Sequence, residues 1–256
     1  MTDRASDGRP RLRAALFDLG DTLVQCTDDL PRLQARALSF CHEVLLRERP
    51  GMSKEALFRA AQEALTQRAE ELAAANLAFP AHERVAIVLQ RLGIGRRGAL
   101  VDELVARLYQ PISECSRALP EARDALGQLK SARLRLGLMS NTPWDVPGEL
   151  VDRDLERLGL REYFDALVYS DCGYRKPHPG IFRRALQALD VEASETIMVG
   201  DSLADDIAGA AAMGIRTLWV AAGSQKVAPR KRGAAPDFTA PDLRAAAEVI
   251  LKLIEK

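Results

Sequence analysis

Several things are scarce in this 256-residue sequence, and each scarcity narrows the function. There is no surplus of either charge: Lys plus Arg and Asp plus Glu number 36 each, so no global field recruits nucleic acid or an anionic membrane. One short basic cluster, Lys226, Arg230, Lys231 and Arg232, sits among Gly, Pro and Ala and reads as a solvated loop. Four cysteines, Cys26, Cys41, Cys115 and Cys172, show neither paired metal spacing nor the framework of a small secreted domain. Free, inert thiols in a cytoplasmic protein are the expectation. Of the three histidines, His42 and His82 have no ligand partner at metal spacing, and His178 reads as a helix opener. The opening residues are polar and charged, with no apolar stretch to target or span a membrane; residues 1–12 read as a flexible tail.

Strand signal is scarce too, but only in one place. Residues 28–112 carry helical periodicity: Leu30, Leu33, Ala37, Phe40, Cys41, Val44 and Leu45 recur at three- and four-residue steps. Pro50-Gly51 interrupts the pattern, and Ser53 is a fair N-cap for a helix that extends towards Ala75. Helices over 81–92 and 99–109 follow, with no repeat among them. Elsewhere helices and strands alternate. Strands are expected over 14–17, 134–139, 166–170, 196–199 and 215–220, and helices over 121–131, 148–159, 179–189 and 204–213. Pro236-Asp237-Phe238 reads as a short edge strand before a final amphipathic helix, 242–256. Such alternation implies βαβ units and a mainly parallel sheet. At 47% hydrophobic residues, the chain has ample material for its core.

Four polar stretches punctuate the strands. The apolar run Ala14–Phe17 ends at Asp18, followed by Leu19-Gly20-Asp21-Thr22. A carboxylate at a strand's carboxyl end lies where α/β proteins bind ligands, and it is costly to bury without a positive or protic partner. Read alone, it equally caps a surface turn. Leu134–Met139 ends in Ser140-Asn141-Thr142, which alone is an ordinary turn. Gly173-Tyr174-Arg175-Lys176-Pro177 carries a lysine before a helix, and Ile197–Val199 ends in Gly200-Asp201-Ser202, continuing to Asp205-Asp206. Asp201-Ser202 by itself would suit a helix cap.

Taken in order, these four motifs resemble the haloacid dehalogenase-like (HAD) superfamily of phosphohydrolases, over nearly the whole chain after residue 12. The resemblance implies a doubly wound, mainly parallel Rossmann-like α/β sheet with an inserted all-helical cap. The core would comprise 13–24 and 113–256, and the cap 25–112, closing over a small soluble substrate. It implies an aspartyl-phosphate mechanism with Asp18 as nucleophile and Lys176 as the cation bridging Asp18 and the phosphate. Ser140, Asn141 and Thr142 would hold phosphoryl oxygens, the last two through backbone N–H groups. Mg²⁺ would be bound by Asp18, the carbonyl of Gly20, Asp201 and, in a supporting place, Asp206. Asp205 would be solvated. Thr22 would steady the loop or be a plain turn residue.

The family's phosphatases carry a second Asp two residues after the first; here that position is Gly20, with Asp21 one place on. The missing group works as a general acid–base, worth roughly 10²–10⁴-fold. The expected activity is therefore a phosphatase for a small phosphorylated metabolite, weakened at this step. Alternatives are a metal-independent dehalogenase, a phosphonate hydrolase or a phosphate- or partner-binding module. Phosphonate-cleaving relatives would require a cap lysine; Lys54 follows a helix cap and reads as exposed surface. Trp144 is either pocket wall or core packing. No nucleic-acid or membrane partner is expected.

Overall fold

The computed structural model describes residues 10–64, 67–221 and 235–255. Residues 1–9 of the expected tail and the basic cluster Lys226, Arg230, Lys231 and Arg232 lie outside the described residues. The chain begins with β1 (Ala14–Phe17) and a short β2 (Val24–Cys26), then enters five helices: α1 (Leu30–Glu48), α2 (Lys54–Ala64), α3 (Gln67–Ala74), α4 (Ala81–Arg91) and α5 (Gly98–Cys115). It returns through β3 (Ser116–Ala118), α6 (Ala122–Ser131), β4 (Arg135–Ser140), α7 (Gly148–Arg157), β5 (Ala166–Tyr169), α8 (Pro179–Leu189) and β6 (Thr196–Gly200). A π-helical turn (Leu203–Ile207), α9 (Ala208–Ala212), β7 (Arg216–Val220), β8 (Phe238–Ala240) and α10 (Leu243–Ile254) complete it.

Six strands form one all-parallel sheet in the order β5-β4-β1-β6-β7-β8. The strand order reverses at β1, which has β4 on one side and β6 on the other; that is the switch point where open α/β sheets bind ligands. Because both faces are covered, the central strands carry continuous apolar runs rather than alternating, Ala14–Phe17 of β1 and Ile197–Val199 of β6 among them. Ala15 and Phe17 join Leu136, Leu138, Ile197 and Val199 in a cluster with residues of α6 and α10. Ala14 and Leu16 pack on the other face with Met139, Met198 and the α8 residues Ile181, Phe182 and Leu189. The fold is the expected doubly wound α/β core with an inserted helical unit.

The insertion differs from expectation in detail. Of the helix expected to extend towards Ala75, Lys54–Ala64 and Gln67–Ala74 are helical, and the two residues between them lie outside the described residues. α5 continues past 109, through Pro111, to Cys115, because Leu100, Leu104, Val105 and Tyr109 pack it into the core and outweigh the one hydrogen bond that proline removes. Two three-residue strands escaped the sequence reading. β2 and β3 pair antiparallel as a ribbon, with Cys26 opposite Ser116, and so carry the chain into and out of the helices.

The ribbon also corrects the expectation of free thiols. Cys26 and Cys115, 89 residues apart in sequence, are disulfide-bonded, with Cα atoms 5.1 Å apart. Cys41 and Cys172 are free. The bond removes the thiol argument for a cytoplasmic setting, since disulfides persist in oxidising surroundings. No helix among the described residues is long and apolar enough to cross a membrane.

A second junction ties the helices to the sheet. Leu77 bridges Tyr174, and the Ala78 and Arg175 N–H groups donate to Gly173 O and Asn76 O, at 3.1 and 2.9 Å. Buried Asp145 accepts the Phe79 N–H at 3.0 Å and the Ser170 hydroxyl at 3.2 Å, pairs with Arg175, and lies 3.9 Å from Arg84.

Candidate active site

Register brings three motifs together. Phe17 lies beside Leu138 on one neighbour and Val199 on the other, so Asp18, Ser140 and Asp201 all emerge at the carboxyl edge of adjacent strands. The Asp18 N–H donates to Val199 O at 2.9 Å, which anchors the loop as it leaves β1. From the loop before α8, Lys176 enters the same space. Its ammonium bonds Asp18 Oδ1 and, at 2.7 Å, Asp206 Oδ1; all three side chains are buried.

Asp206 reaches back from the π-helical turn after β6, with its second oxygen accepting the Ser202 N–H at 3.0 Å. This return explains Gly200: a Cβ there would collide with the Asp206 carboxylate. Asp18, Asp201 and Asp206 present oxygens that all lie within 4.8 Å of one another. Asp205, expected to be solvated, is half-buried and lines the same cavity.

The charges are unbalanced. Asp18, Asp21, Asp201, Asp205 and Asp206 line a cavity in which Lys176 is the single cationic side chain among the described residues. Burial, with the Asp18 and Asp21 carboxylates adding repulsion, pushes Asp201 up to about 6. Burial raises Asp205 and Asp206 as well. Burial alone would lower the Lys176 pKa, but the facing Asp18 and Asp206 carboxylates outweigh it and hold the ammonium above its ordinary range. At 2.7 Å the Lys176–Asp206 contact is a charged pair despite the pull of burial on the acid. An all-oxygen, electron-rich cluster with unrelieved repulsion fits a hard divalent cation.

The remaining motif residues divide. Ser140 is buried and lines the cavity. Asn141 also lines it, but both ends of its amide are engaged: Oδ1 accepts the Lys176 N–H at 2.7 Å and Nδ2 donates to Lys176 O at 3.1 Å. It positions the lysine's backbone. Thr142 is drawn away, its N–H donating to Ser170 Oγ at 3.0 Å and its hydroxyl to Val146 O at 2.8 Å. Thr22 does not steady the loop through its hydroxyl, which is buried without a hydrogen-bond partner. Gly20 lines the cavity with open space where a Cβ would project. Trp144 lines a different cavity, among helices α1, α2, α4 and α5. Lys54 is exposed and donates to Ser39 at 3.2 Å, away from the acidic cluster. Asp145 and Ser170, which hold the neighbouring loops, carried no motif signal.

Over the cluster stands a cavity of about 390 Å³ walled by α1, α5 and α7. The model of the haloacid dehalogenase-like hydrolases matches residues 12–214, which spans all four motifs. The chain belongs to that family. It is a hydrolase, and several curated relatives that match it over four fifths of its length or more are phosphatases. The glyceraldehyde 3-phosphate phosphatase of Pyrococcus abyssi is 30% identical over 209 residues, covering 81% of each chain. The phosphoserine phosphatase of Thermus thermophilus is 33% identical, covering 91% of this chain and 97% of its own. Among solved structures, the 2-haloacid dehalogenase from Pseudomonas syringae pv. tomato superposes with a TM-score of 0.66 at 24% identity, over 94% of this chain and 99% of that one. A likeness at that identity speaks for the fold alone.

Proposed function

We propose that this hydrolase is a Mg²⁺-dependent phosphoric monoester hydrolase for a small phosphorylated metabolite, working through an aspartyl-phosphate on Asp18. The observation that carries the reading is Asp18 at the switch point, ion-paired to buried Lys176 and crowded by Asp201 and Asp206. Carboxylates gathered around a nucleophilic carboxylate make sense around a cation, whereas a metal-free dehalogenase would gain nothing from them. Asp18, Asp201 and the Gly20 carbonyl would hold Mg²⁺, with Asp206 alongside. The bound ion would neutralise the approach of two anions.

The chain's own groups do the rest. Asp18 attacks phosphorus with one oxygen, splitting a hard displacement into two easier ones. Lys176, fixed by Asn141, steers the attacking carboxylate and the phosphate. The Ser140 hydroxyl donates to a phosphoryl oxygen where negative charge gathers. No carboxylic acid stands at position 20 to protonate the departing alcohol. Residues 25–112, with α1–α4 and most of α5, serve as the cap over a core of 13–24 and 113–256, α5 running across that boundary to Cys115.

Phosphate release with and without Mg²⁺, for the native protein and Asp18→Asn, tests the reading. Turnover should require the metal and fall by at least three orders of magnitude in the variant. Halide release from a 2-haloacid without metal, or full activity in Asp18→Asn, would overturn it.

A further inference from the structure

The cavity above the acidic cluster has two unlike ends. At one end stand the carboxylates and Lys176. Most of the remaining wall is apolar: Leu30 and Leu33 from α1, Ile112 from α5, and Val151, Leu155 and Leu158 from α7 and its end. Leu30 sits at the first position of α1 and is 58% exposed.

Polar groups on this far wall are already engaged. Tyr109 donates to Asp154 Oδ2 at 2.8 Å, Ser113 donates to Asp154 Oδ1 at 2.6 Å, and Arg157 pairs with the same carboxylate at 3.0 Å. Ser116 donates its hydroxyl to Ile112 O at 2.7 Å. Among the described residues no arginine or histidine lines the cavity, Arg157 being a partner of Asp154 and not a lining residue, and the Lys176 ammonium already faces two carboxylates. A second anionic group on a bound ester would therefore meet Asp154 at one end and the catalytic acids at the other, with no free counter-ion among the described lining residues. Sugar-like hydroxyls would lose water against leucine and valine without recovering hydrogen bonds.

We infer that the ester's organic part is apolar and uncharged: the substrate class is the phosphate monoester of a hydrophobic alcohol or phenol, held by Leu30, Leu33, Ile112, Val151 and Leu155. This rests on the phosphatase reading and deepens it. The volume, about 390 Å³, equals roughly a dozen waters' share of liquid, room for a phosphate and a short chain or single ring.

The test compares esters with similar leaving groups, so that chemistry and cavity are separated. With Mg²⁺ present, kcat/KM is measured for methyl, ethyl and n-butyl phosphate, glycerol 1-phosphate, phosphoserine and phosphoglycolate. Any ester too slow to follow is measured by its Ki against phenyl phosphate. Specificity should rise about 10-fold or more from methyl to n-butyl, because each added methylene fills apolar space. Glycerol 1-phosphate, matched in length to a short alkyl chain but hydroxylated, should fall at least about 10-fold below n-butyl phosphate, and the two carboxylated esters lower still. Leu30→Arg, at an exposed position that folding tolerates, should narrow the gap between n-butyl phosphate and phosphoglycolate. Preference for glycerol 1-phosphate or a carboxylated ester would overturn the inference while leaving the phosphatase reading intact, as would an unchanged ratio in Leu30→Arg. Failure to release phosphate from every ester, phenyl phosphate included, would overturn the phosphatase reading and this inference with it.

Discussion

Replacing Gly20 with Asp restores a carboxyl group where the leaving oxygen would need a proton. Two structural facts make the substitution clean. Gly20 does not occupy the left-handed region, unlike Gly51, Gly93, Gly159, Gly173 and Gly214, and a Cβ on it meets nothing within 4 Å. Steric and backbone effects on folding stability should stay within about 1 kcal/mol, the reduced freedom of the unfolded chain being itself favourable. The added carboxyl joins a crowd of acids; one unit charge roughly 7 Å from another costs about 2 kcal/mol at an effective dielectric near 20. That repulsion favours the protonated form, which is the form a general acid requires. A positioned acid–base group contributes ~10²–10⁴-fold, or about 3–5 kcal/mol of barrier. Turnover of n-butyl phosphate should rise within that bound, while phenyl phosphate, whose phenolate leaves unaided, should gain less. Asp21→Asn is the paired control, because Asp21 holds φ 55° and asparagine accepts the left-handed region as readily. Melting temperature and Mg²⁺ affinity are followed in parallel. The reasoning fails if native protein cleaves alkyl phosphates briskly with Asp21→Asn silent, or if Gly20→Asp leaves alkyl turnover unchanged while fold and metal affinity persist.

Two further outcomes concern stability. Asp201 shifts from about 3.8 unfolded to about 6 folded, so between those values the folded state holds more protons. Metal-free protein should therefore lose stability as pH rises from 4 to 6, by on the order of 1 kcal/mol after solvent screening, with Asp205 and Asp206 acting in the same direction. Urea midpoints across that range should show the fall; saturating Mg²⁺ or Asp201→Ala should flatten it, and a rise with pH in metal-free protein would refute the assignment. The Cys26–Cys115 bond closes a separation of 89 residues. Its reduction, or Cys115→Ser, should cost about 2–4 kcal/mol in the urea midpoint, and an unmoved midpoint would show that the bond does not constrain the unfolded chain.

What the sequence by itself determined was periodic or local. The apolar run Ala14–Phe17, the succession of helix and strand signals after residue 118 and the three- and four-residue steps from Leu30 each show within a single window of sequence. Three of the four polar motifs were visible for a related reason, since they sit directly after an apolar run; Lys176 was visible from its place before a helix. The ribbon strands β2 and β3, three residues each, are too short for any period to show. Cys26 and Cys115 had no spacing to betray them, because only the pairing of that ribbon brings positions 89 residues apart into bonding range. The family resemblance implied that the Asn141 and Thr142 backbone N–H groups hold phosphate. Tertiary structure gave the Thr142 N–H to Ser170 Oγ, and the Asn141 side-chain amide to the Lys176 backbone. The apolar wall over the cluster likewise belongs to no single segment, being shared by α1, α5 and α7. A strand announces its own burial through its side chains. Which atom a polar side chain meets depends on register and on loops distant in sequence, so the partners of this site were decided only when the sheet and its inserted helices came together.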